Sequence, residues 1–452
     1  MLPTTSGYYC VLVVVFFAFW LLRRSGRASL SLVLLVNLYF YARWGWIYLA
    51  LVPSAATADF FFARAIAGSE RKLTRRLFVS LSLGINIGLI LFCRYAPAAG
   101  LLLPLTLSFY AFQALTYTLD VYRGDAKPVA SYLTYLSSVT FFPTIAAGPI
   151  TRIAVLAPQW NWKGKTLSAE DGGRALFLIA LGLIKKFLIA DYLGNNLVNR
   201  VFDLPTLYSG GDVLVGVYAY AFQLYYDFSG YSDIAIGSAL LLGIRLPANF
   251  NAPYRATNIA DFWKRWHITF SNWLRDYLYF SLPGKRTKWM PYLGLVITMV
   301  AGGLWHGASG TFAIWGLLHG AGLAVFRLWQ SFRKGLKPSA NAVPRLFAGL
   351  LTFHFVLLAW IFFRAASVAA ALQILSQIAS LHFSLVNATP QFLLVLALAA
   401  AAHFVPKNWY DLSLLSFNRT PAVLQAAALA MLLLAIRTVS NSGATPFIYS
   451  RF

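Results

Sequence analysis

Apolar runs follow one another along the whole chain, at residues 8–22, 29–42, 44–62, 77–93, 101–119, 131–148, 174–192, 213–243, 291–305, 308–328, 346–363, 391–405 and 421–436. A helix needs roughly 20 apolar residues to cross the hydrocarbon layer of a bilayer. A chain patterned this way reads as an all-α integral membrane protein. Several of its runs are short for a span, and such pieces tilt, thin the bilayer or turn back inside the protein. About eleven true spans are expected, with re-entrant and interfacial helices between them. No long hydrophilic block, repeat or low-complexity tract divides residues 1–452, so a single membrane-embedded domain is expected. Composition removes the other classes. The chain is 59% hydrophobic and 11% charged, whereas a soluble domain carries roughly 25% charged residues. A soluble globular protein, a disordered chain and a disulfide scaffold are all excluded.

The 37 Lys and Arg against 14 Asp and Glu leave a net charge of +23. These cations are spread between apolar runs, not gathered in one patch, which argues against a nucleic-acid partner. Dispersal of this kind fits the rule that Lys and Arg hold loops on the cytoplasmic side. Arg23 to Arg27, Arg64 to Arg76 and Arg327 to Arg345 are therefore expected to be cytoplasmic. The first run carries its charges after it, the reverse of a signal peptide, and reads as an uncleaved span with the N-terminus outside. Three runs follow the 327–345 loop, which puts the C-terminus outside too. Some of these cations can also attract anionic lipid or a phosphorylated donor. Cys10 and Cys93 lie in apolar runs with no metal spacing and read as small hydrophobes.

Three segments depart from plain lipid-facing material. Asn258 to Tyr279 places apolar residues at 262, 263, 266, 270, 273, 274, 277 and 278, one helical face, with charges opposite. Asn258 can cap its start. The segment is too charged to span and suits the membrane interface, with Trp263, Trp266 and Trp273 at headgroup depth and His267 near the border of the faces. Residues 302–320 hold His306 and His319 among glycines that permit a broken or kinked helix. Ionisable groups within spans usually face a cavity. Thirteen residues separate these two histidines, about 220° around a straight helix, so one face does not hold both. Asp227 and Asp233 have no basic residue within ten positions. Each needs a distant ion pair, a hydrogen bond or a polar cavity. His354, His382 and His403 stand alone, and no two histidines have metal-ligand spacing, so no metal site is expected.

The strings FFPTIAAGPITR (141–152), QLYYDFSGYSDIAIG (223–237), NFNAPYRATNIADFWKRWHITFSNWLRDYLY (249–279), GGLWHGASGTFAIWGLLHG (302–320) and PFIYSRF (446–452) resemble the membrane-bound O-acyltransferases. They are nearest the bacterial branch of alginate O-acetylation and teichoic-acid D-alanylation proteins, with AAGPI and PFIYSRF closer to the alginate type. The resemblance runs from about residue 104 to the end. It implies a ring of helices with funnels from both faces meeting near a histidine. It implies that His306 is the essential histidine and His267 the second one. It further implies substrate-binding positions at Trp305, Asn272, Arg265, Lys264, Asp233 and Pro149, the last with Gly148 in the cavity-lining match. The short hairpin after Pro283 differs from the alginate type and bears on partner contacts.

Such a site suits acyl transfer from a thioester to a hydroxyl. A neutral imidazole can take the hydroxyl proton near neutral pH. No Ser or Cys adjoins His306 in a hydrolase pattern, so direct transfer is expected over an acyl-enzyme. Lys264, Arg265, Arg255 and Lys285 can attract a phosphate-bearing donor or lipid headgroups. The implied activity is O-acetylation of an exported polysaccharide in a bacterial inner membrane. The donor is acetyl-CoA or an acyl carrier acting as substrate, with no bound cofactor. An extracytoplasmic acetyltransferase partner is expected. The alternatives are D-alanyl transfer to teichoic acid, or a transporter or flippase with Asp227 and Asp233 as coupling groups.

Overall fold

A computed structural model of the chain describes residues 5–95, 106–161, 166–282, 287–333 and 342–439. The hairpin from Pro283 with Lys285, the terminal PFIYSRF and the side chain of Cys93 lie outside the described residues. Among those described there is no strand. The apolar runs become α1 (Ser6–Leu22), α2 (Gly26–Ala42), α3 (Trp46–Ala67), α4 (Lys72–Tyr95), α5 (Thr106–Arg123), α6 (Tyr132–Val139), α7 (Ala169–Leu183) and α8 (Gly210–Leu241). There follow α9 (Ile259–Arg265), α10 (Ile268–Trp273), α11 (Met290–His306), α12 (Gly310–Phe332), α13 (Ala342–Arg364) and α14 (Val368–Ala379). The last are α15 (Pro390–His403), α16 (Lys407–Arg419) and α17 (Ala422–Val439). By length and apolarity α3, α4, α12 and α13 can each cross a membrane. The pair α15 and α16, bent by 94°, makes a fifth if it is one broken span. Helices α1, α2, α11, α14 and α17 are apolar but shorter.

Helix starts are set by side chains that accept an otherwise orphaned backbone N–H. Ser25, Ser168, Ser209 and Asn258 each take the amide three residues on. The Asn258 cap is the one expected from sequence. Downstream of α6 the chain abandons helix over 140–152 yet stays buried almost throughout. Irregular backbone at membrane depth is tolerated only where protein or a cavity satisfies it. Asn37 of α2 does this, donating to the Ser137 carbonyl at 3.1 Å and accepting from the Phe142 amide at 2.9 Å.

The 32-residue α8 is buried along most of its length. It crosses α7 at close range: a Cβ on Gly182 would lie 2.5 Å from the Gly230 carbonyl oxygen. That approach, and the wider π turn into which α7 continues (Ile184–Ala190), bring two lysines to the two isolated aspartates. Lys185 meets Asp233 at 2.5 Å, while Lys186 meets Asp227 at 2.5 Å and Asp191 at 2.8 Å.

The expected amphipathic helix over 258–279 does not form as one piece. It breaks into α9 and α10 at Trp266 and His267, then widens into a π turn and narrows through a 3₁₀ turn to Ser281. The three tryptophans are not at a surface either. Trp263 and Trp266 are buried, and the half-buried Trp273 donates to the Phe112 carbonyl at 3.1 Å. The apolar face was real, but its partners are other helices, not lipid headgroups. Helices α11 and α12 form a hairpin closed by glycine: a Cβ on Gly316 would stand 2.5 Å from the Met299 carbonyl oxygen. Small residues that let backbones approach this closely are a common device of membrane helix pairs.

Candidate active site

The 259–281 segment climbs one helix and descends another. Phe262 stacks on His319 of α12 at 6.0 Å, and Trp266 lies 4.9 Å from Trp360 of α13. After the turn, Leu274 and Phe270 approach Gly302 of α11, and Tyr279 approaches Gly294. His267 is the turning point. Its φ is 42°, in the left-handed region. For a residue carrying a Cβ this conformation costs of order 1–3 kcal/mol and persists only where the surroundings dictate it. They do so through two backbone hydrogen bonds, Ile268 N–H to the Asn249 carbonyl and Asn251 N–H to the Arg265 carbonyl, both 2.9 Å.

That turn brings the two singled-out histidines to one aromatic ring. Phe270 lies 4.9 Å from the His267 imidazole and 6.1 Å from that of His306, centre to centre. Both histidines are buried. His306 is the last residue of α11, and the chain leaves helical geometry at Gly307. It is flanked by Trp305 at 4.5 Å, Phe363 at 4.9 Å and Trp315 at 5.3 Å. His267 is flanked by Phe228 at 4.6 Å and Phe109 at 6.1 Å. The surface position at the border of an interfacial helix, expected for His267, is therefore replaced by a buried one. His319 sits on a different helix from His306, on the far side of Trp315 at 4.9 Å, and accepts the Trp263 indole N–H at 3.3 Å.

Next to this centre lies a cavity of about 190 Å³ whose wall includes Ile150, Thr151, Arg152, Thr269, Asn272 and Tyr277. Thr269 links the two features. Its hydroxyl is 3.0 Å from Asn249 Oδ1, and Asn249 Oδ1 is 3.1 Å from His267 Nδ1. The result is a buried, aromatic-walled pair of imidazoles with a partly polar pocket on the far side of Thr269, whose wall contains neither ring. A low-dielectric site of this kind strengthens any hydrogen bond to a developing charge.

A profile of the membrane-bound O-acyltransferase family matches residues 126–372, more than half of the chain. The chain belongs to the membrane-bound O-acyltransferase family. This membrane-bound O-acyltransferase is 35% identical over 391 residues to the peptidoglycan O-acetyltransferase of Helicobacter pylori, covering 77% of this chain and 73% of that protein. It is 33% identical over 479 residues to a probable alginate O-acetylase of Pseudomonas putida, covering 95% and 96%. It is 30% identical over 275 residues to the teichoic acid D-alanyltransferase of Bacillus subtilis, covering 58% and 68%.

In this acyltransferase the residues named from sequence fall into two groups. His306, His267 and Trp305 meet around Phe270. Asn272 lines the adjacent cavity, and the Pro149 carbonyl accepts from Thr151 of the same wall at 3.0 Å. The others stand apart. Lys264 is exposed, Arg265 pairs with Asp261 at 2.9 Å, and Asp233 is held by Lys185. Arg255 donates to the Val405 carbonyl at 2.8 Å. Two features escaped sequence reading. Asn249 and Thr269 form the support of His267, and nothing local marks a polar residue that acts through a contact 18 positions away. Arg152 is held by Asp276 and Asp120, with Tyr277 donating to Asp120 at 2.6 Å. Asp120 closes the apolar run 101–119 with Arg123 three residues on, so it lacks the isolation that drew attention to Asp227.

Proposed function

We propose that this protein is a membrane O-acetyltransferase serving an exported polysaccharide, and that it passes acetyl groups across the inner membrane from a cytoplasmic thioester. The observation that carries this reading is the shared contact of His306 and His267 with Phe270, beside a cavity lined by Arg152. Its relatives that O-acetylate peptidoglycan or alginate support the same class of acceptor. The fold is read as about eleven spans with both termini outside. Basic groups meet at one end of the molecule: Arg75 donates to the Tyr122 carbonyl, Arg123 to the Asp276 carbonyl and Arg327 to the Tyr279 hydroxyl. By the positive-inside rule that end is cytoplasmic.

The donor is acetyl-CoA or an acyl carrier, entering from that end as a substrate. Arg152 at the cavity wall, oriented by Asp276 and Asp120, presents the rest of its guanidinium to the donor phosphate. The acceptor hydroxyl arrives from the opposite side. Its oxygen forms the new C–O bond at the acyl carbon while His306 takes its proton. The C–S bond breaks, and the thiolate takes that proton from His306, which returns to its neutral form. The acceptor is the polysaccharide itself or an extracytoplasmic acetyltransferase partner that completes delivery.

Acetyl content of the exported polymer in a deletion strain tests this. Complementation with the wild-type chain should restore acetyl groups, and His306→Ala should not. Restoration of D-alanyl esters in place of acetyl would move the reading to teichoic-acid D-alanylation, the activity named for the Bacillus relative. Orientation has its own test: a cysteine placed at Lys72 should resist an impermeant thiol reagent in intact cells, and its labelling from outside would reverse the topology.

A further inference from the structure

His267 is held in a hydrogen-bond chain whose direction can be read without seeing a single hydrogen. At ordinary precision the amide of an asparagine and the ring of a histidine are each ambiguous. Here two backbone amides remove the ambiguity. The Thr269 N–H can only donate, and it points at Asn249 Oδ1 at 3.3 Å. That atom is therefore the oxygen. The Ile150 N–H can only donate, and it points at Thr269 Oγ1 at 3.0 Å. The threonine hydroxyl is thereby an acceptor of one bond and free to donate its own proton to Asn249 Oδ1, 3.0 Å away. Asn249 Oδ1 also faces His267 Nδ1 at 3.1 Å. An oxygen that accepts from its other neighbours offers Nδ1 only an acceptor, so Nδ1 carries the ring proton. In a neutral imidazole the other nitrogen, Nε2, then holds the lone pair. Among the described residues Nε2 is buried and has no hydrogen-bond partner.

We propose that Asn249 is a positioning residue, which with Thr269 locks His267 in the Nδ1–H form so that Nε2 presents a lone pair to an O–H or N–H of the substrates. This rests on the acyltransfer reading above and assigns His267 the role of acceptor, not donor. Three observations converge on it. The residue is 1% exposed and Asn249 also 1%, so water does not compete for either group. The left-handed backbone at His267 is held by hydrogen bonds to the same 249–251 strand-like stretch that supplies the amide. Finally, Ile150 follows Gly148 and Pro149, which ties the irregular 140–152 segment to the imidazole. Around the ring, α5 contributes Phe109, α8 contributes Phe228, and α10 contributes Phe270. Ser232 of α8 accepts the other end of the amide at 3.3 Å. Titratable or charged groups around this centre include Asp233, next to Ser232 and committed to Lys185, Arg152 and Tyr277 of the adjoining cavity wall, and His306 across Phe270.

The direct test is nitrogen NMR of histidine-labelled wild-type protein in detergent or nanodiscs, with the His267 signals identified by their loss in His267→Gln. A pyrrole-type Nδ1 and a pyridine-type Nε2 are expected; the opposite tautomer overturns the proposal. Kinetics give the second test. Loss of the hydrogen-bond partner that orients a metal-ligating histidine costs about 10–100-fold; taking that as the scale for an oriented imidazole, Asn249→Ala should lower kcat by about that factor with KM little changed. Asn249→Asp keeps an acceptor at Nδ1, and Ser232 can turn its hydroxyl to donate. It should recover at least tenfold over Asn249→Ala. The carboxylate also favours the imidazolium, so the acid limb of its pH–rate profile should move to higher pH. A purely structural role would restore activity without moving that limb, and that outcome overturns the proposal, as does wild-type turnover in Asn249→Ala. Wild-type protein that transfers no acetyl group in this assay would instead defeat the acyltransfer reading, while the tautomer remains measurable.

Discussion

Helix α8 serves two buried polar centres with opposite designs. Toward α7 it offers Asp227 and Asp233, and each meets a lysine at 2.5 Å. Toward the 249–273 segment it offers Phe228 and Ser232, which pack around and behind a neutral imidazole. The first centre balances charge against charge. The second contains no ion pair among the described residues and leaves His267 Nε2 without a partner. A buried charge stripped of its counter-ion is expensive, whereas a neutral imidazole is cheap to keep in an apolar wall. A strut can therefore be built of ions that satisfy one another, while the imidazole centre keeps one ring nitrogen's hydrogen-bonding capacity unspent.

The difference predicts that the two centres fail in different ways. The largest effect belongs to His306. His306→Gln preserves hydrogen bonding but cannot accept the proton, and loss of a general base typically costs about 10²–10⁴ in rate. Polymer acetylation should fall below detection while the protein still elutes as a folded species. A folded His306→Gln protein with near wild-type acetylation would erase the contrast. At the ion-pair centre the order is reversed. Lys186→Ala strips the buried Asp227 and the half-buried Asp191 of their shared cation, and breaking a buried pair costs about 3–5 kcal/mol. Folded yield and thermal stability should collapse before any kinetic constant can be read. Replacing Lys186 by Met together with Asp227→Leu should recover much of that yield, and equal losses in the single and double variants would argue against a strut.

Smaller changes sharpen the comparison. Gly316→Val pushes a side chain into the Met299 carbonyl, where a Cβ alone would sit at 2.5 Å. Overpacking of this kind costs about 1–3 kcal/mol. Because α11 ends at His306, acetylation should drop further than the melting shift alone explains. Unchanged acetylation in a destabilised protein would show that the hairpin spacing does not position the histidine. The smallest effect is expected for Trp263→Phe. It removes one hydrogen bond to His319, worth about 0.5–1.5 kcal/mol, and should shift melting slightly with acetylation within a few-fold of wild type. A large loss of acetylation would bring His319 into the reaction centre.

Much of this was legible before any coordinates. The helical class followed from the apolar runs, the cap at Asn258 from residue type and position, and the isolation of Asp227 and Asp233 already required distant partners. His306 was singled out as a titratable ring among glycines in an apolar run, but its essential role came only from the family resemblance. The break at Trp266 and His267 was not legible. The helical period of apolar residues continues straight through it, since Phe262, Trp266 and Phe270 are all buried on both sides of the turn. What interrupts the helix is the pairing of 249–251 with 265–268, a contact that periodicity cannot report. The same blindness placed Trp263 and Trp266 at an interface. An apolar face has the same pattern whether lipid or another helix covers it.

The sequence by itself determined that this chain is helical and membrane-embedded, because apolar length and scarce charge are local properties that the bilayer reads residue by residue. It also determined which residue types were out of place: two aspartates, a glycine-bound histidine and a charged aromatic helix. Only the tertiary structure decided what those residues meet. Which lysine neutralises which aspartate depends on how closely α7 crosses α8 at Gly182 and Gly230. Which nitrogen of His267 carries the proton depends on an amide 18 residues away and on a threonine oriented by Ile150. Those are relations between segments brought together by packing, and no single segment encodes them.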